Sequence, residues 1–229
     1  MLPIALSRAK MGSLEAMPMS TPAATVFIVD DDPSVLKALG RLVGTAGYRI
    51  RTYDRASAFL DSRLPKGPKC LILDLQMPEL GGLDLQRELA ARGLNLSVIF
   101  LSGHGDVPSS VRAMKAGALD FLTKPVRGTI LLEAVRSALE KDKARGNDQK
   151  DVDSIRGRVE TLSLREHEVF RWVIAGRLNK QTAFEMGISE KTVKFHRARV
   201  MQKMEAHSVA ELTILADRAG VAPMRKVGP

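Results

Sequence analysis

Four short apolar runs, each followed by a polar residue, restrict this fold most. Thr25-Val26-Phe27-Ile28-Val29 ends at Asp30 and Asp31, and Cys70-Leu71-Ile72-Leu73 ends at Asp74. Val98-Ile99-Phe100-Leu101 ends at Ser102, and Leu119-Asp120-Phe121-Leu122 leads to Lys124-Pro125. The runs are rich in residues that favour buried strands, and stretches of helical periodicity separate them. That alternation predicts an α/β fold, a doubly wound parallel (βα)5 sheet. Strands are expected near 25–29, 48–52, 70–73, 97–101 and 119–122. Helices are expected near 34–46, 55–62, 83–92, 108–116 and 128–143, the first capped by Asp32 with Pro33 as its first residue. In a parallel sheet the strand C-termini share one edge, where ligands bind. The sequence therefore collects three carboxylates, a hydroxyl and an ammonium on one rim.

Such a rim has a definite chemistry. Clustered carboxylates repel unless a cation compensates them. Asp30, Asp31 and Asp74 offer hard oxygens suited to Mg²⁺. Lys124 supplies a point charge for a phosphoryl group, and Ser102 supplies a hydrogen-bond donor. A central carboxylate can accept the group covalently. Taken singly, Asp31 or Asp32 reads equally well as a helix cap, and Lys124 as a surface lysine. Their joint occurrence at the ends of the first, third, fourth and fifth strands, in order, favours the pocket.

These motifs, Val29-Asp30-Asp31-Asp32, Leu73-Asp74-Leu75-Gln76-Met77-Pro78, Leu101-Ser102-Gly103-His104-Gly105-Asp106 and Thr123-Lys124-Pro125, resemble the receiver domain of bacterial two-component response regulators. The resemblance implies that Asp74 takes phosphate from a sensor histidine kinase. It implies Mg²⁺ held by Asp30, Asp31, Asp74 and the backbone carbonyl of Met77, with Ser102 and Lys124 on the phosphoryl group. It also implies a cis bond before Pro125, and a switch made by Ser102 and Phe121. Phe121 reads as well as a buried strand aromatic, and His104 as an exposed loop residue. Haloacid-dehalogenase-type phosphatases are the main rival, but Gln76 stands where they carry a second Asp.

The expected organisation is a disordered leader (1–24), the receiver (25–143), a polar linker (144–160), a small all-α helix-turn-helix DNA-binding domain (161–221) and a tail (222–229). Met11, Met17 and Met19 are alternative starts. The linker reading, which leaves room for helix over part of the stretch, rests on the change to Lys, Arg, Asp, Gln and Asn from about Lys141 to Arg158. In the last domain Ser163 and Glu166 form a capping-box pattern. A short helix from about Lys180 to Met186, a turn at Gly187 and a longer basic helix capped by Ser189 follow. At about 100° per residue, Val193, Val200 and Met204 face the core, while Lys191, Lys194, Phe195, Ala198, Arg199 and Gln202 face outward. His196 and Arg197 fall at the flanks.

Leu162-Ser163-Leu164-Arg165-Glu166, Asn179-Lys180, Ile188-Ser189 and Lys191 to His196 resemble the LuxR/FixJ/NarL-type output domain. This implies a four-helix domain with 191–204 as recognition helix. Its base readers map onto Lys194, Phe195 and Ala198, and Lys180 maps onto a phosphate contact. The full implied DNA-contacting set is Lys180, Lys191, Thr192, Lys194, Phe195, Ala198 and Arg199. Gln181-Thr182-Ala183-Phe184 and Ala198 depart from the usual pattern.

Composition adds limits. The net charge is +9, but the excess is modest in each half: 13 Lys/Arg against 11 Asp/Glu over 24–126, and 12 against 8 over 160–229. The one cysteine excludes an intrachain disulfide, and no apolar run is long enough to cross a membrane. The expected protein is a cytoplasmic transcriptional regulator, not an enzyme beyond its own phosphoryl transfer and dephosphorylation. It would homodimerise on phosphorylation and bind promoter DNA, with RNA polymerase a further candidate partner. A regulator acting through proteins without DNA is the alternative.

Overall fold

The computed structural model describes residues 24–103 and 107–225. Residues 1–23 of the expected leader, His104 and residues 226–229 of the tail lie outside the described residues. The described chain divides into two compact units between Lys143 and Ala144.

In the first unit, strands β1 (Thr25–Val29), β2 (Arg49–Tyr53), β3 (Lys69–Asp74), β4 (Ser97–Ser102) and β5 (Asp120–Thr123) alternate with helices. All the pairings are parallel and the order is β2-β1-β3-β4-β5. The helices are α1 (Pro33–Thr45), α2 (Ala56–Leu60), α3 (Gly82–Ala91), α4 (Val107–Lys115) and α5 (Gly128–Glu160). Successive side chains of a strand point to opposite faces, so two cores form. Val26, Ile28, Cys70, Ile72, Ile99 and Leu101 pack under α1 and α5. Phe27, Val29, Leu71, Leu73, Val98 and Phe100 pack under α2, α3 and α4. Strands covered on both faces explain why β1, β3 and β4 read as unbroken apolar runs. Asp32 caps α1 by accepting the Ser34 N–H at 2.7 Å, with Pro33 next.

Helix α5 is longer than the sequence suggested. Leu131, Ala134, Val135, Ala138 and Leu139 bury one face in the first unit. Beyond them Asp142 accepts the Lys69 N–H at 3.0 Å. The stretch read as a linker, 144–160, is helical throughout, and Ile155 is buried in the core of the second unit. That stretch has helix-forming residues but no apolar stripe until Ile155, so periodicity could not show it.

The second unit adds α6 (Leu164–Ile174), α7 (Asn179–Met186), α8 (Glu190–Lys203) and α9 (Val209–Ala219). Val169, Phe170, Val173, Val193, Val200, Met204, Leu212 and Ala216 form its core. Ser163 and Glu166 make the reciprocal capping box of α6. Gly187 ends α7 at φ 64°, a conformation natural to glycine, and Ser189 caps α8 through the Thr192 N–H.

Candidate functional site

The parallel strands deliver their ends to one edge. Asp30 follows β1, Asp74 closes β3, Ser102 closes β4 and Lys124 follows β5. Lys124 Nζ lies 2.6 Å from Asp30 Oδ2 and 2.6 Å from Asp74 Oδ1. Asp30 is 2% exposed and Asp74 6%. Backbone donors hold the other oxygens: Asp32 N–H gives to Asp30 Oδ1 at 3.0 Å, and Gln76 N–H gives to Asp74 Oδ2 at 2.8 Å. Lys124 N–H donates to the Ser102 carbonyl at 2.7 Å, which joins the exits of β4 and β5. The Lys124-Pro125 peptide is cis.

Burial pushes the Asp30 carboxyl above its ordinary value, against the pull of Lys124 and the Asp32 N–H. Burial also opposes the Lys124 charge, but hydrogen bonds to Asp30 and Asp74 outweigh it and raise the ammonium. Lys124 therefore stays charged, and the two carboxylates still exceed it by one negative charge. Two hard carboxylates with an unbalanced charge suit Mg²⁺, which takes one or two carboxylates and keeps several waters. Among the described residues no three Asp, Glu, His or Cys side chains form a metal cage. Backbone or water oxygens would complete the shell.

The remaining expected residues sit around this centre. Asp31 is exposed, and Met77 and Phe121 are half-buried. The Phe121 ring lies 6.2 Å from that of Phe100, a position consistent with either reading of it. From sequence the Gly81-Gly82 pair reads as a flexible turn after the third strand, which misses the role of Gly82. A Cβ there would collide with the Asp74 backbone oxygen and stand 2.9 Å from Phe100 Cε1. The start of α3 can rest on the Asp74 strand because Gly82 has no side chain. The Gly81-Gly82 pair was the available signal.

In the second unit, Val193, Val200 and Met204 are fully buried, and Lys191, Lys194, Phe195, Ala198, Arg199 and Gln202 are exposed. The Arg199 guanidinium lies over the Phe195 ring at 5.5 Å, and Lys180 is exposed on α7. Thr192 is half-buried and its hydroxyl meets Ser189 Oγ at 2.7 Å, so it is partly committed to the helix start. Arg197 Nη1 donates to Asn179 Oδ1 at 3.0 Å and ties α8 to α7. Glu166 also does more than cap. It is 4% exposed and accepts Lys203 Nζ at 2.6 Å, with Arg199 Nε at 3.6 Å. The Lys203 hydrogen bond, reinforced by the Ser163 N–H, holds the Glu166 carboxyl down at about 2.

Residues 26–136 match the family described as response regulator receiver domain, and residues 160–216 match bacterial regulatory proteins of the luxR family. The response regulator protein TmoT of Ectopseudomonas mendocina is 44% identical, over 90% of this chain and 94% of its own. The chain belongs to the response regulators with a LuxR-type helix-turn-helix domain. The transcriptional regulatory protein FixJ of Azorhizobium caulinodans is a further relative of this regulator, 40% identical over 93% of this chain and all of its own. The solved response regulator StyR superposes with a TM-score of 0.75 at 41% identity, covering 86% of this chain and 99% of that one. For this response regulator the receiver implies a sensor-kinase partner, and the LuxR-type domain implies DNA binding and a role in transcription. Receivers of the family generally bind Mg²⁺ at the phosphorylation site. Among the described residues no helix is long and apolar enough to cross a membrane.

Proposed function

We propose that Asp74 is the phosphoacceptor and that its phosphorylation controls promoter binding by α8. The observation that carries this reading is Lys124 Nζ placed 2.6 Å from both Asp30 and Asp74. An Asp74 oxygen attacks the phosphorus of a phosphohistidine on the sensor kinase. The P–N bond breaks as the O–P bond forms, leaving an acyl phosphate here and a free imidazole there. Lys124 and Ser102 bind the phosphoryl oxygens, where catalysis is mostly positioning and charge neutralisation. Asp30 and Asp74, joined on metal binding by Asp31 and the Met77 carbonyl, would hold Mg²⁺, which when bound neutralises charge on the group in transfer. Gln76 is exposed and cannot act as a general acid, which favours a phosphoacceptor over a phosphatase.

The new charge shifts a two-state equilibrium through Ser102 and Phe121. The α4–β5 face is the proposed dimer surface. Its support is that Val107, Val111 and Met114 of α4 are 73%, 43% and 46% exposed. Two output domains then occupy neighbouring half-sites. Lys180 and Lys191 contact phosphate, Lys194, Phe195 and Ala198 meet base edges, Arg199 contacts the backbone, and Thr192 supports the helix start. The protein acts in the cytoplasm, with RNA polymerase as a further partner. Asp74→Asn is expected to gain no PO₃ unit by mass spectrometry from a phosphodonor with Mg²⁺, and to lose donor-enhanced DNA binding. A donor that still raised DNA affinity in that variant would overturn the proposal.

A further inference from the structure

The match to the luxR family begins at residue 160, yet the second unit takes structural support from residues before it. Ile155 is 2% exposed in its core, and Val159 packs beside it. Between them Arg158 reaches the far end of α8. Its Nη1 donates to the carbonyl of Met204, the C-cap of that helix, at 2.8 Å, and lies 3.1 Å from Glu205 Oε2.

That helix end needs help. The last carbonyls of any helix lack intrahelical partners. Here Ala206 N–H donates to Met201 O and Glu205 N–H to Gln202 O, a Schellman closure. The Met204 carbonyl is left for Arg158. The closure also puts Glu205 at φ 54°, a left-handed position that glycine usually fills. Arg158 holds the side chain of that residue as well as the neighbouring carbonyl. Its positive charge further suits the negative end of the helix dipole. Lys203 adds a second tie, donating to the Thr161 carbonyl at 2.8 Å, immediately after α5.

We infer that Arg158 is a positioning residue for DNA binding, and that the working output domain begins within the last turns of α5. It fixes the C-terminal end of α8, and so the tilt of the exposed face that carries Lys194, Phe195 and Ala198. This rests on the reading of α8 as the recognition helix. Arg158 itself touches no DNA.

The test uses the full chain and a duplex selected from randomised DNA by the parent protein. Three variants are compared across salt: Arg158→Met, which keeps the aliphatic stem, Arg158→Lys and Lys191→Ala. Trp172, the single tryptophan, lies in the second unit and reports its folding by fluorescence. Arg158→Met should weaken binding by up to about tenfold, because releasing a helix end held by a charged hydrogen bond lowers the fraction of molecules with α8 in its binding position, while Trp172 reports a folded unit. Its salt slope should match the parent's, whereas Lys191→Ala should lower the slope by about 0.9, one phosphate contact. Arg158→Lys should recover most of the affinity. Parent-like binding by Arg158→Met would overturn the inference. So would a slope reduced as in Lys191→Ala, or a loss that only tracks the unfolded fraction seen by Trp172. A Lys191→Ala variant with parent-like binding would instead refute the recognition-helix reading.

Discussion

The two units solve opposite electrostatic problems with the same device. In the receiver, two buried acids, Asp30 and Asp74, share one cation, Lys124. In the output unit two cations, Lys203 and Arg199, share one buried acid, Glu166. What each centre leaves over differs in sign. The receiver keeps a negative excess that a divalent cation can satisfy, and the output unit keeps a positive excess on a face that an anion such as DNA can satisfy. Exposure differs as well. Arg199 and Lys203 are 53% and 31% exposed, so they can return to water, while Asp30 and Asp74 cannot. Losing the lone compensator should therefore matter more in the receiver.

The largest effect should come from Lys124→Met, which strands two buried carboxylates. Receiver stability should drop by about 3 kcal/mol, read as a lower urea midpoint by circular dichroism while Trp172 reports the second unit separately. Added Mg²⁺ should restore part of the loss. An unchanged midpoint without metal would break the comparison.

Glu166→Gln should cost less, about 1–2 kcal/mol, because its partners are partly solvated. The pH dependence sharpens the point. A carboxyl lowered from 4.5 to about 2 stabilises the fold above pH 4.5, and that contribution is lost as pH falls toward 2. The parent's Trp172-monitored stability should fall over that window, and Glu166→Gln should flatten the fall.

Asp30→Asn should have the smallest effect and the opposite sign. The Asp30 carboxyl is raised above 3.8, so its protonation stabilises the receiver as pH falls toward that value. The amide should leave neutral-pH stability unchanged or up by about 1 kcal/mol, with Mg²⁺ binding weakened in titration calorimetry. A clear loss of stability would mean that the carboxylate is needed as a partner for Lys124 more than it suffers from burial.

Much of this was legible in the chain. Burial on both faces wrote β1, β3 and β4 as apolar runs, and a parallel sheet forces their ends together, so the chain itself places Asp30, Asp74 and Lys124 on one edge. The α8 core stripe followed from helical spacing alone. Other features were hidden for a common reason. Arg158 meets Met204 across 46 positions and Lys203 meets Glu166 across 37, and no local pattern encodes such pairings. Glu166 was visible as a cap but not as an anchor, and Gly82 as a turn but not as the gap that seats α3 on β3. The helical course of 144–160 was legible only in part, because it has no apolar face to repeat.

That last segment has a consequence of its own. Between the Asp142 latch on Lys69 and the buried Ile155, residues 143–154 are almost entirely solvent-exposed, and Gly146 sits among them. Glycine inside a helix costs about 1 kcal/mol relative to alanine. No core side chain of either unit lies in this span, so its helix rests on its own backbone hydrogen bonds and on exposed ties such as that of Arg218 to Asp151, not on burial.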